Sequence, residues 1–164
     1  MRYFITFACY GARLHGDESG SVDRRHNLPG SPSLEAHLKR VAAETERMEQ
    51  TPYLLDRERR AIVLTTLHEV CLHRGWTLWA AHVRTNHVHV VVEAEIAPER
   101  IMNAFKSYAS RSLNSLGIDK PDRKRWSRHG STRWLWTDES VQEAIRYVVD
   151  EQGEPMAVFV AESI

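Results

Sequence analysis

The chain has 164 residues, enough for one domain (1–164) with a real hydrophobic core. Apolar residues make up 42% and charged residues 27%, which excludes a disordered chain. Its 22 basic and 22 acidic side chains cancel, which argues against the basic surface usual in nucleic-acid binders.

The opening strand is expected over residues 2–10 (RYFITFACY), aromatic and β-branched throughout. Its N-terminus lacks the basic-then-apolar layout of a signal peptide, and no apolar run reaches the ~18 residues of a membrane span. The expectation is a cytoplasmic protein with no membrane contact. Cys9 and Cys71 stand alone and read as reduced core thiols. Residues 11–33 are rich in Gly, Asp, Ser, Arg and Pro and predict a long loop. A helix is expected over 34–49 and another over 56–73, where Ile62, Val63, Leu67, Val70 and Cys71 make an apolar stripe and Asp56 opens the helix.

Residues 76–83 (WTLWAAHV) predict the second strand, and RTN turns it into a third over 87–93. Along that third strand alternate side chains share a face, so His87, His89 and Val91 point one way and Val88, Val90 and Val92 the other. Two imidazoles about 6.5–7 Å apart can lean onto one ion or phosphate. A strand with one wet face that happens to carry two histidines explains the same spacing, so the pair alone decides nothing. The histidine-triad nucleotide hydrolases also carry such pairs but need a third alternating histidine, and position 91 is valine.

Pro98 opens a helix that runs to about Leu116, with Gly117 as its stop. Residues 120–133 (KPDRKRWSRHGSTR) then hold six cations, Lys120, Arg123, Lys124, Arg125, Arg128 and Arg133, against Asp122 alone. Trp126, Trp134 and Trp136 interleave with those arginines, a pattern suited to stacking bases and holding phosphates. Trp134 and Trp136 suit the core of an edge strand TRWLW equally well. Thr137 or Asp138 caps a final helix over 139–152, stopped by Gly153, with Val141, Ala144, Ile145 and Val148 on its apolar face. Glu151 lies one turn beyond Tyr147 on that helix; Gln152 is about 140° further round.

The order strand, helix, strand, strand, helix, strand, with an extra helix, predicts an α+β, ferredoxin-like (RRM-like) sandwich. An antiparallel sheet would carry helices on one face, plus a C-terminal helix bearing Tyr147. Packing that helix on the sheet brings a phenol, a carboxylate and two imidazoles together.

Four ordered stretches carry a family resemblance: YFITFACYGARLHGDESGSVDRRHN, NHVHVVV, FKSYASRSLN and WLWTDESVQEAIRYVVDEQG. They resemble the single-tyrosine HUH transposases, in particular the REP-associated tyrosine transposases of the IS200-like group. The resemblance implies Tyr147 as nucleophile and His87 and His89 as ligands of a divalent metal, Mn2+ or Mg2+. Relatives carry Gln or Asn four residues after the tyrosine. Here that position is Glu151, with Gln152 beside it, so the third ligand is Glu151 or Gln152. Lys106 and Arg111 on the FKSY helix, with Arg123, Arg125, Trp126, Arg128 and Arg133, are the expected DNA contacts. Tyr108, between Lys106 and Arg111, is a rival nucleophile.

The implied activity is a metal-dependent nicking and rejoining of single-stranded, hairpin-associated DNA through a 5′-phosphotyrosine intermediate, by a monomer or homodimer. The alternatives are a catalytically silent, domesticated DNA-binding protein on the same fold and a hydrolase that uses a metal-bound water.

Overall fold

The computed structural model describes residues 1–12 and 49–163. Apart from residues 11, 12 and 49, the expected 11–33 loop and 34–49 helix lie outside the described residues. Five strands, β1 (Arg2–Cys9), β2 (Thr77–Val83), β3 (His87–Glu93), β4 (Trp126–Trp134) and β5 (Ala157–Val160), form one sheet in the order β4-β1-β3-β2-β5. Every neighbouring pair is antiparallel. β1 and β2 are therefore parallel, with β3 between them, and β1 in turn lies between β3 and β4. Two interlocked split β-α-β units result, the ferredoxin-like arrangement that the sequence predicts.

The helices are α1 (Arg57–Arg74), α2 (Pro98–Ser115) and α3 (Asp138–Asp150). The Asp56 carboxylate accepts from the Arg59 N–H at 2.9 Å to open α1, and Gly75 closes it at φ 70°, where a side chain would be strained. At the start of α3, Thr137 and Ser140 each satisfy the other's backbone N–H. The last turn ends at Asp150, with Glu151 as its cap, two residues before the expected end.

Alternation sorts the side chains onto two faces. Tyr3, Ile5 and Phe7 of β1 and Val88, Val90 and Val92 of β3 join Val63, Leu67 and Val70 of α1 and Ile101, Phe105 and Leu113 of α2 in the large core. On the other face Ala80 and Val91 meet Val141, Ala144 and Val148 of α3, with Leu135 beneath and Phe4 at the border. Burying each large side chain of this kind stabilises by about 1.5–3 kcal/mol, so most of the stability lies on the face of α1 and α2.

Two elements differ from expectation. β4 begins at Trp126 and takes in the second half of the basic stretch, whereas the sequence places the strand at TRWLW. An edge strand covered on one side needs little apolar alternation, so WSRHGSTRW carries no strand signal. Gly130 belongs to its packing: a Cβ there would lie 2.5 Å from Met102 Sδ and 2.6 Å from the Thr6 carbonyl. β5, four residues beside β2, has no counterpart in the expected order.

Candidate functional site

The site lies under α3. Thr6 of β1 pairs with His89 of β3, and His89 with His82 of β2, so three polar side chains line up across the middle of the sheet. The two histidines of β3 stand with ring centres 4.8 Å apart and planes at 80°. Asn86 Oδ1 lies 2.7 Å from His87 Nδ1; an amide oxygen only accepts, so Nδ1 carries the proton and Nε2 the lone pair. His89 Nδ1 meets the Thr6 hydroxyl at 2.9 Å. Hydrogen bonds of this kind fix ring orientation in metal-binding histidines.

The alternative of a wet strand face that happens to carry two histidines does not hold at His89. His89 is only 5% exposed, because Phe4 stacks beside it at 5.9 Å and 20° and α3 covers the sheet. Tyr147 completes the group. Its ring centre lies 5.9 Å from His89 and 5.8 Å from Phe4, edge-on to both, while 42% of the residue stays exposed. The helix that presents it is pinned through its neighbour: the buried His82 donates from Nδ1 to the Val148 carbonyl at 2.9 Å and accepts the Met156 N–H on Nε2 at 3.0 Å. Burial pushes the His82 pKa down, the charge of Arg84 adds to that, and the bond to Val148 opposes it.

Of the two third-ligand candidates, Glu151 is exposed at the end of α3, and Gln152 spends its amide N–H on the Tyr147 carbonyl at 3.2 Å. Among the described residues no three His, Cys, Asp or Glu side chains gather closely enough to hold a metal ion. Two imidazoles with Nδ1 already engaged suit a divalent ion as its nitrogen half.

Tyr108 belongs to the other side of the molecule. It packs against the large core, its hydroxyl accepts from Arg74 at 3.4 Å, and the guanidiniums of Arg74 and Arg111 lie over its ring at 5.7 and 5.2 Å. The Arg74 hydrogen bond first, then the charges of Arg74 and Arg111, hold its pKa below the usual phenol value. An acidified phenol is in place, but the sheet separates it from the histidines.

Three expected DNA contacts point inward. Lys106 is 9% exposed and donates to the Ser127 and His129 carbonyls of β4 at 2.9 and 3.3 Å, and burial lowers its pKa. Arg125, 3% exposed, reaches Asp119 and Asn114. Trp126 donates its indole N–H to the Lys106 carbonyl and the Ser110 hydroxyl, both at 3.0 Å, and packs edge-on against Phe7. Arg123 is drawn into Gln50 and the Thr51 carbonyl. Arg128 and Arg133 remain exposed, and Arg111 sits on the outer side of α2. The tryptophans that face solvent are Trp134 and Trp136, stacked at 5.0 Å and 13° with 38% and 74% exposed.

An antiparallel α+β sandwich with a His-x-His strand under a tyrosine-bearing helix matches the architecture expected of a DNA-transposing protein. The chain belongs to the IS200-like transposase family, whose model matches residues 37–151. Its fold is similar, at 10% identity and a TM-score of 0.49, to a REP-associated tyrosine transposase bound to a REP hairpin, over 92% of this chain and 65% of that one. A candidate transposase from Deinococcus radiodurans R1 is similar at 12% identity and a TM-score of 0.47, over 90% of this chain and 88% of that one. No curated protein matches the sequence. Among the described residues no helix is long and apolar enough to cross a membrane.

Thr6 and Phe4 were not legible as site residues. Their one signal is period-2 spacing on β1, which places both on a single face; only the register sets that face beside His89.

Proposed function

We propose that the chain is a strand transferase of the REP-associated branch, which nicks and rejoins single-stranded or hairpin DNA through Tyr147. The observation that carries this reading is the Tyr147 ring 5.9 Å from His89 on the same sheet face, on a helix pinned by His82. The phenolic oxygen of Tyr147 attacks phosphorus, the bond from phosphorus to the 3′-oxygen breaks, and that oxygen leaves as a hydroxyl with one proton. The phenol proton passes to solvent or to a nearby base. A 5′-phosphotyrosine remains, and its bond energy lets another 3′-hydroxyl reverse the step without a nucleotide cofactor.

Free phenol ionises near pH 10, so the site must favour the anion. A divalent ion, Mn2+ or Mg2+, when bound by His87 and His89, supplies charge neutralisation at the scissile phosphate. The exposed Trp134–Trp136 stack offers faces for unpaired bases, and the exposed Arg128 near the other end of β4 offers a phosphate contact.

A silent DNA-binding protein is the second reading, and the exposure of Glu151 with the turn of the Gln152 amide onto the Tyr147 carbonyl favours it. The two separate on one measurement. A labelled hairpin oligonucleotide with Mn2+ should become covalently attached to the wild-type chain and not to Tyr147→Phe; binding without any adduct would overturn the catalytic reading.

A further inference from the structure

The Arg133 guanidinium takes part in no hydrogen bond or ion pair among the described residues, although its backbone belongs to β4. Three cations of the basic stretch are committed, Arg123 to Gln50 and Thr51, Lys124 to Glu49, and Arg125 to Asp119 and Asn114, while Arg128 is exposed. Arg133 is exposed, and its guanidinium lies over the Phe4 ring at 5.4 Å.

That contact fixes where the charge sits. In the ladder of β1 and β4, Phe4 pairs with Arg133; in the ladder of β1 and β3, it pairs with Val91, between His89 and Glu93. Phe4 and Arg133 therefore occupy the face of α3 and the histidines. The same phenyl ring stacks on His89 and receives Tyr147 edge-on. One ring thus holds an imidazole, a phenol and a guanidinium within 6 Å of its centre.

We infer that Arg133 is a further catalytic residue, which grips the phosphate that Tyr147 attacks, and that Phe4 is its positioning residue. This inference rests on the transferase reading. A guanidinium presents paired N–H donors to two phosphate oxygens at once and stays charged at every working pH. Held on the same phenyl ring as the phenol, it stabilises the charge that builds on the equatorial oxygens as phosphorus is attacked. The ring supplies the geometry: a cation over an aromatic face is held by about 0.5–1 kcal/mol at an exposed site, enough to bias a long side chain toward one position while leaving its N–H groups for substrate.

The test uses the full chain, a labelled hairpin oligonucleotide and Mn2+, with adduct formation timed under single-turnover conditions and binding measured separately on an uncut strand. Arg133→Ala should slow adduct formation by about 10²-fold or more while weakening binding by less than about tenfold; Arg133→Lys should recover part of the rate, keeping charge without the fork. A rate that falls only as far as binding does would overturn the catalytic assignment. Phe4→Leu should slow the wild type but have little further effect in Arg133→Ala, and Phe4→Tyr, which keeps the ring, should restore the rate. Equal losses from Phe4→Leu in both backgrounds would overturn the positioning role. An absent adduct in the wild type overturns the transferase reading together with this one, whereas an adduct that forms equally fast in Arg133→Ala overturns this inference alone.

Discussion

The two candidate nucleophiles, Tyr108 and Tyr147, lie on opposite faces of the sheet, and the faces are built on opposite terms. Tyr108 has the better electrostatics, with two guanidiniums over its ring and a lowered pKa, yet it packs against the thick apolar core, on the face away from the histidines. Tyr147 has a thin cover of one helix and a small cluster of apolar side chains, but His89 and Phe4 lie against it, with His87 and Thr6 on the far sides of His89. Acidity alone does not make a nucleophile; it must also share a pocket with whatever holds the phosphate. The thick face stabilises the fold, and the thin face leaves Tyr147 half exposed beside His89.

The largest effect expected is all-or-none. Tyr147→Phe should abolish the covalent adduct with no loss of folding, and Tyr108→Phe should keep it, as read on a denaturing gel; an adduct mapped by peptide sequencing to Tyr108 would reverse the comparison. In stability the order inverts. Phe105→Ala, fully buried among α2 and the sheet, should cost about 3–5 kcal/mol in urea unfolding, whereas Ile145→Ala on half-buried α3 should cost less than half of that.

Next in size is the support of His89. Thr6→Val removes the hydroxyl at Nδ1 and should weaken Mn2+ binding by about 10–100-fold, measured by calorimetry on the unliganded protein, with Thr6→Ser restoring it. Unchanged affinity would reduce Thr6 to a packing residue.

Acid should act first on the junction of Tyr53, Arg59 and Arg125 around Asp119. Burial pushes the Asp119 carboxyl up, but hydrogen bonds from Arg59 and Tyr53, the Arg59 charge and Arg125 outweigh it, and the net shift is downward. A carboxyl whose folded pKa lies below its unfolded value of about 3.9 stabilises fully above that pH and loses the contribution as pH falls toward the folded value. Wild type should therefore lose stability below about pH 4 more steeply than Asp119→Asn, in thermal melts across that range.

The smallest effect is one of slope. Arg128→Ala should flatten the salt dependence of single-strand binding by about 0.7, while Arg125→Ala, whose guanidinium is buried in bonds to Asp119 and Asn114, should lower the melting temperature and leave the slope alone. A flattened slope in Arg125→Ala would mean that the inward side chain turns out to meet DNA.

Elements with strong periodicity were legible. α1, β3 and α3 lie within two residues of their expected bounds, since each buries one regular stripe or alternation. β4 and β5 were not, because an edge strand of Ser, Arg, His and Gly, and a four-residue strand after the last helix, gain their order from partners far away in the chain. The same limit governed the site. His87, His89 and Tyr147 announce themselves by residue type, and the family match over 37–151 agrees with the resemblance those motifs carry. Lys106, Arg125 and Trp126 looked like DNA contacts because spacing cannot tell an outward cation from one whose carbonyl partners arrive by tertiary folding. Both cysteines read correctly as core thiols: burial pushes each up to about 12, so neither should react with alkylating agents near neutral pH.

β5 gives α3 a second anchorage. The helix is fastened at its start by Asp138 to Arg2, and past its end the chain returns along β2 through four paired residues, with Arg84 gripping the Glu154 carbonyl. It is a strap buckled at both ends rather than an arm. Tyr147 can swing away from His89 only if the short, half-exposed buckle at β5 peels from β2, so the rate of that local opening sets a ceiling on how quickly the helix can move.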